Sequence, residues 1–360
     1  MTGLRYLRVL VATPLGEGGK GGIDRLMDEL RRPLTDAADL EVNFVETRGK
    51  RHIFLSLYYL VRFLVLLGAH ARRGQLDLVH VNLSSDGSAY RKLCVCWTAR
   101  LLGIPYVLHL HGSNFKDFFA STGPWVRPLI ASMFDKAALN IVLGSTWGKF
   151  VSTEFPTARV KILPNATKRL PLRASKSEEH VQIIFLGRLG RRKGTPDLID
   201  ALQGLRDLSG WNVVLAGDGD VEATRSQIIA CGLDDKVVVK EWLGPRDVQE
   251  LLLASDVLVL PSYDENLPMS VIEGMSAGLA VVTTPVGATP DIVLDGVTGL
   301  LVRPGDISGL GMALRRLVVD RELRERLGIA ARLLHEERLE INQYAEALAA
   351  IWRVAAKGVA

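Results

Sequence analysis

The sequence is poor in cysteine, in charge of one sign and in long unbroken apolar runs, and each shortage excludes a class of protein. Its cysteines are Cys94, Cys96 and Cys231 only. An odd, sparse set gives neither a disulfide framework nor metal-ligand spacing, and reads as reduced, buried thiols. The formal net charge is +4, and no Lys/Arg-rich run alternates with aromatic residues. That argues against nucleic acid as a partner, while the mild basic excess suits an anionic substrate or an anionic membrane surface. The first residues, Met-Thr-Gly-Leu-Arg-Tyr-Leu-Arg, lead straight into a strand-like Val9–Ala12. The apolar stretch and small-residue cleavage site of a signal peptide are missing, so the expectation is a cytoplasmic enzyme.

The apolar segment Ile53–Ala69 is interrupted by Ser56 and Arg62. Its length is close to the minimum for a membrane span, but a central Arg costs about 2.5–3.5 kcal/mol on insertion scales, which excludes one. Two readings stay open. One is a buried helix. The other is a helix lying in the interface, with Lys50, Arg51, His52, Arg72 and Arg73 on anionic head groups, so that 50–73 makes a peripheral contact on the inner face of the membrane.

What is present is a globular composition, 48% hydrophobic and 23% charged over 360 residues, long enough for two domains. Short β-branched runs alternate with helical stretches. The expected strands in the first half are Leu7–Ala12, Val42–Glu46, Leu78–Asn82, Tyr106–Leu110, Asn140–Leu143 and Val160–Leu163. In the second half they are Gln182–Leu186, Asn212–Ala216, Val237–Lys240, Val257–Leu260, Ala280–Thr283 and Gly299–Val302. The spacing leaves room for crossover helices, which predicts α/β domains with parallel sheets covered on both faces. The expected division is an N-terminal domain over 1–167, a polar linker over 168–180 (KRLPLRASKSEEH), a second domain over 181–335, and a C-terminal helix over 336–360 that could pack back on the first domain. Arg321 to Ala356 reads as helical throughout.

Three glycine-rich turns follow strands. Gly16-Glu-Gly18-Gly19-Lys20-Gly21-Gly22 contains G-x-G-x-x-G, and Glu46 ends the next strand. This could hold a phosphate, a sugar or a dinucleotide, or simply join strand to helix. Gly187-Arg188-Leu-Gly190-Arg-Arg-Lys193-Gly194 sets Arg188 and Lys193 as fixed cations beside a helix start, a pattern suited to a diphosphate; Arg191 and Arg192 read as solvated surface residues. Gly217-Asp218-Gly219-Asp220 is a loop wall near a nucleotide or a turn whose Asp220 caps a helix. The most specific segment is Pro261-Ser-Tyr-Asp-Glu265-Asn266-Leu267-Pro268-Met269-Ser270-Val-Ile-Glu273-Gly-Met-Ser-Ala-Gly278. Pro268 suits a first helical turn. Glu265 then precedes the helix and Glu273 lies inside it.

This segment resembles the E-x7-E motif of retaining glycosyltransferases of the GT-B fold, the family-4 group, of the bacterial polysaccharide-biosynthesis type. The Gly187-Arg188…Lys193-Gly194 signature, the Gly16–Gly22 loop, His111-Gly112 and Pro164-Asn165 are further points of similarity. The resemblance implies two Rossmann-like domains facing across a cleft, a nucleoside-diphosphate sugar as donor, no metal, and a saccharide or lipid-linked acceptor. It implies that Arg188 and Lys193 hold the diphosphate, Glu273 the ribose, and Glu265 the transferred sugar. His111, Gly18 and Gly19 would close from the other domain, and Gly187, Gly217, Asn266, Leu267, Pro268, Met269 and Ser270 would line the donor. Asn266 and Asp291 depart from the family's usual glycine and glutamate. His109 reads as packing. Asn82–Ser88, Arg91-Lys92 and Asn114–Lys116 are candidates for the acceptor side, or ordinary polar loops. Two other enzyme classes remain, a sugar-nucleotide 2-epimerase of the same fold and an NAD(P) oxidoreductase, besides a non-catalytic sugar-binding protein.

Overall fold

The computed structural model describes residues 6–19, 21–50, 53–171 and 180–358. Lys20, Arg51, His52 and most of the expected linker lie outside the described residues. The chain forms two compact units, 1–165 together with 341–360, and 166–340.

The first unit runs β1 (Leu7–Thr13), α1 (Gly22–Thr35), β2 (Leu40–Glu46), α2 (Ser56–Arg72), β3 (Leu78–Leu83), α3 (Gly87–Leu101), β4 (Tyr106–Leu110), α4 (Phe115–Ser121), α5 (Arg127–Asp135), β5 (Leu139–Val142), α6 (Ser145–Glu154) and β6 (Val160–Ile162). The second runs β7 (Val181–Leu186), α7 (Thr195–Leu202), β8 (Trp211–Ala216), α8 (Val221–Ala230), β9 (Val237–Lys240), α9 (Pro245–Ala254), β10 (Val257–Leu260), α10 (Met269–Ser276), β11 (Ala280–Thr283), β12 (Leu300–Leu301), α11 (Ile307–Val319) and α12 (Arg321–Arg338). The last helix, α13 (Ile341–Lys357), belongs to the first unit. All twelve expected strands are present.

Both sheets have six strands, paired in parallel throughout. β3, β4 and β10 are buried along their whole length, as strands covered by helices on both faces must be. The orders differ: β2-β1-β3-β4-β5-β6 in the first unit, β12-β11-β10-β7-β8-β9 in the second. In each, the direction of chain progression reverses beside the first strand. Ligands of open α/β sheets bind at the carboxyl ends of the strands flanking that reversal. Here those strands are β1 and β3, and β7 and β10.

Two sequence expectations need correction. Helix does not run unbroken from Arg321 to Ala356: it stops at Arg338 and restarts at Ile341. At the break Leu339 is fully buried, and its carbonyl accepts from the Thr167 amide, pairing the two chain segments that leave the second unit. A tertiary backbone bond there overrides helix propensity. The segment after residue 53 is not simply a buried helix either. α2 buries Leu60, Phe63 and Leu67, whereas Leu57, Tyr58, Val61 and Val65 on its other side are exposed, and Phe54 just before it is 89% exposed.

α13 is amphipathic. Tyr344, Leu348, Trp352 and Ala355 recur at helical spacing and are buried, against α1, β3 and β4. Its Arg353 forks onto Asp39 at 2.8 and 2.9 Å, but both side chains are well exposed, so apolar burial rather than this ion pair secures the helix.

Candidate active site

In the second unit three loops meet at the carboxyl ends of β7, β8 and β10. The first two are stitched by backbone: the Gly187 amide donates to the Ala216 carbonyl, Leu189 to Asp218, and Asp220 to Leu189. A Cβ on Gly217 would lie 1.8 Å from the Gly187 carbonyl oxygen, so this approach requires glycine. The β7 loop is then tied to the β10 loop, because the Tyr263 amide donates to the Arg192 carbonyl at 2.9 Å. Gly194 takes φ +71°, and a Cβ there would meet the Pro261 carbonyl at 2.1 Å. Asp220 stands at the start of α8, but its side chain accepts no capping bond; the cap acts through its carbonyl to the Thr224 amide.

That scaffold brings Lys193 and Glu265 together. The Lys193 ammonium donates to Glu265 Oε1, and both side chains are about nine-tenths covered, at 13% and 10% exposure. Ser262 Oγ donates to the same carboxylate oxygen at 3.1 Å. The β10 loop is held from its far side too: Thr284 donates to the Ser262 carbonyl and the Ala288 amide to the Asn266 carbonyl at 2.7 Å. Arg188 is exposed, and among the described residues no carboxylate pairs with it. Arg192 is occupied locally, donating to the Asp264 carbonyl at 3.0 Å.

After Glu265 the chain turns inward. Asn266 and Leu267 are buried, Pro268 occupies the extended position just before α10, and all eight residues of α10 are buried, Glu273 among them at 7% exposure. Pro268 fits because the helix start needs no amide proton from it. The first amides of a helix, here those of Met269 and Ser270, have no intrahelical acceptor, and the helix dipole adds partial positive charge. One short region thus combines an exposed guanidinium, an ammonium, a helix start and two carboxylates, at the strand reversal where a ligand is expected. Such a set can neutralise a diphosphate and bond hydroxyls.

In the first unit the glycine-rich loop differs from the dinucleotide pattern. The buried Asp24 of α1 reaches back, and its Oδ1 accepts from the Leu15 and Gly16 amides at 3.0 and 3.2 Å. Gly18 donates to Asp28 at 2.7 Å, and Gly19 lies so near that a Cβ would sit 2.6 Å from the Asp24 carboxyl carbon. Carboxylates therefore hold amides that a pyrophosphate would use. Burial raises the Asp24 pKa, opposed by those two amides. Glu46, the acid expected to grip a ribose in the NAD(P) reading, pairs instead with Arg62 at 2.7 Å.

His111 follows β4, beside the reversal, and is half-buried. Its Nε2 lies 3.0 Å from Asn82 Oδ1. Burial, with His80 nearby, pushes its pKa down to about 3, so the ring is neutral at ordinary pH. Lys92 does not face an acceptor: it is fully buried, donating to Thr47 Oγ1 at 2.5 Å and the Ala12 carbonyl at 3.4 Å, and burial lowers its pKa to about 7. Asp86, before α3, has φ 54° and ψ −132°, a strained non-glycine residue in the loop after β3. Sequence reasoning missed Asp24, His80 and Trp352, and no local pattern marks them.

Comparison with known proteins agrees with this layout. Residues 170–334 match the family model described as glycosyl transferases group 1, and residues 24–168 match glycosyltransferase family 4. A 2-deoxystreptamine glucosyltransferase of Streptomyces kanamyceticus is 28% identical over 69% of the chain and 70% of that protein. An N-acetyl-alpha-D-glucosaminyl L-malate synthase of Bacillus anthracis is 30% identical over 73% of the chain and 70% of its own. Among solved structures, that of Anabaena HepE in complex with UDP-glucose superposes with a TM-score of 0.74 at 18% identity, covering 97% of this chain and all of that one.

Proposed function

Because the chain belongs to the family-4 (group 1) glycosyltransferases of the GT-B fold, we propose that it retains anomeric configuration while moving a hexose-type sugar from a nucleoside-diphosphate sugar to a saccharide or lipid-linked saccharide acceptor. The observation that carries this reading is the Lys193–Glu265 pair at the mouth of α10, with Arg188 exposed on the neighbouring loop and paired to no carboxylate among the described residues.

Cleaving a sugar–diphosphate bond builds negative charge on the departing phosphate. Arg188 supplies a planar fork, Lys193 a point charge, and the Met269 and Ser270 amides fixed dipoles. When the diphosphate arrives it competes with Glu265 for Lys193. The released carboxylate then accepts hydrogen bonds from the transferred sugar, while Glu273 holds the ribose hydroxyls. Asn266, Leu267 and Pro268 shape the wall between them, and Gly187 and Gly217 let the backbone come close. In the first unit the candidates for binding a sugar hydroxyl are His111, Gly18 and Gly19. These residues perform the charge neutralisation without a metal. The test is binding and transfer with uridine- and guanosine-diphosphate sugars: a bound nucleotide sugar whose sugar passes to an acceptor with its configuration kept supports the reading. Inverted product, or interconversion of donor epimers without acceptor, overturns it.

The exposed face of α2 favours a lipid-linked acceptor. Among the described residues no helix is long and apolar enough to cross a membrane. Phe54, Leu57, Tyr58, Val61 and Val65 share one side, and on α3, which packs beside α2, Tyr90, Trp97 and Leu101 form a second exposed stripe. Lys50, Arg72, Arg73 and Arg100 are exposed cations on the same two helices and the turn before them. Apolar stripes edged by cations suit an anionic interface. Salt-reversible sedimentation with anionic vesicles, lost in Phe54→Ser with Val61→Ser, is the expected result; no binding to vesicles of any composition contradicts it.

A further inference from the structure

Trp352, His80, Asn82 and His111 form one hydrogen-bonded chain in the first unit, and its directions can be deduced from chemistry alone. An indole N–H only donates. Trp352 Nε1 lies 3.0 Å from His80 Nδ1, so that nitrogen accepts and the His80 proton is on Nε2. His80 Nε2–H then donates to Asn82 Oδ1 at 3.3 Å. The orientation of the Asn82 amide is fixed independently, because its other end meets the Ala12 carbonyl at 3.3 Å and a carbonyl only accepts. Oδ1 is therefore the atom facing both imidazoles. His111 Nε2, 3.0 Å from the same oxygen, must donate.

We propose that Asn82, with His80 and Trp352 behind it, acts as a positioning residue that holds His111 as its Nε2–H tautomer, leaving Nδ1 as an acceptor for a hydroxyl of the reacting sugar. The role rests on the assignment of His111 to the site. Trp352 lies on α13, more than two hundred residues after Asn82 in sequence, and through it the last helix of the chain sets the His80 tautomer behind Asn82. His109 lies against His111 with ring centroids 3.9 Å apart and the rings tilted by 40°, is fully buried, and has no hydrogen-bond partner on either ring nitrogen among the described residues, so it does not compete for the proton. The charged and titratable groups nearby are Lys92 on α3, which shares the Ala12 carbonyl, and, acting on Lys92, Arg91 and Cys96 on the same helix and Asp24 on α1.

The tautomer is read directly by long-range proton–nitrogen NMR on protein labelled with ¹⁵N-histidine, the His111 signals identified by their loss in His111→Gln. At pH 7 the expected pattern is a protonated Nε2 and a bare Nδ1. Trp352→Phe, which keeps an aromatic ring and loses only the donor, releases the His80 tautomer but leaves Asn82 held by the Ala12 carbonyl, so His111 should keep its Nε2–H form. Asn82→Leu removes the acceptor itself and is expected to give a mixture of His111 tautomers. Asn82→Leu should lower kcat about tenfold with KM for the donor little changed, by analogy with the outer partners of metal-bound imidazoles. Asn82→Asp keeps the acceptor but adds charge. It should protonate His111, remove the Nδ1 acceptor, and make activity rise with pH where the parent is flat. A His111 carrying its proton on Nδ1 in the parent overturns the relay. A correct tautomer with full activity in His111→Ala leaves the NMR assignment standing and overturns the positioning role together with the site assignment it depends on.

Discussion

The two units share a strand–helix plan, yet the polar groups at the ends of their sheets differ in kind. In the second, charge is on display: Arg188 is exposed, Lys193 and Glu265 form a nearly covered pair, and Glu273 is buried in α10. In the first, the β1 loop is held by the carboxylates of Asp24 and Asp28, and the side chains on β3 and at the end of β4 are neutral and directional: His80, His109, His111 and Asn82, all buried except His111. Lys92 is sealed beneath them. A group that must stabilise a leaving diphosphate needs positive charge, whereas one that sorts hydroxyls needs lone pairs of fixed direction. On the proposed function, the division of charge follows the division of chemical work.

The comparison can be broken most sharply at Lys193. Lys193→Ala should reduce transfer about 10²- to 10³-fold, as loss of an oxyanion donor does, whereas Lys92→Met should leave donor binding unchanged if it folds; equal kinetic effects would erase the distinction. A second difference concerns acid. His80 and His111 have pKa values pushed down to about 4 and about 3, chiefly by burial, and burial drives His109 the same way. In the second unit His335 alone, at about 4, is shifted in this manner among the described residues. The folded state binds fewer protons than the unfolded state between these values and 6.5, so this stability is complete above pH 6.5 and is lost as pH falls toward 4. For His80 the lost stability is about 3 kcal/mol. Hydrogen exchange at pH 7 and pH 5 should show the first unit loosening before the second, and the reverse order would refute the buried neutral network. Next in size, Gly194→Ala should destabilise the second unit by about 1–3 kcal/mol, since the left-handed backbone touches the Pro261 carbonyl; thermal unfolding checks it. The smallest effect is expected for Glu273→Gln, weakening nucleotide binding about tenfold by calorimetry, while Glu265→Gln should mainly slow turnover.

Legibility followed the same divide. The donor-side motif is contiguous: 187–194 and 261–278 each lie on one turn and its helix, so spacing alone places a cation beside a helix start. All twelve strands were readable because continuous β-branched runs suit a sheet buried on both faces. The first unit's polar cluster draws Ala12, His80, Asn82, His111 and Trp352 from β1, β3, the loop after β4 and α13, and no window of sequence contains it. The G-x-G-x-x-G pattern was legible as a turn, but Asp24 filling its amides was not, because a buried carboxylate one helical turn on looks like an ordinary first-turn acid. The helix break at Leu339–Glu340 was hidden for the related reason that its cause, the Thr167 amide, lies far away in the chain.

A crystal structure of the protein with a bound nucleoside diphosphate examines the charge-grip directly. The phosphates should lie within hydrogen-bonding reach of Arg188, Lys193 and the α10 amides, with the ribose on Glu273 and the Lys193–Glu265 pair opened. Phosphates seated on the Gly16–Gly21 loop, with that pair still closed, would contradict it.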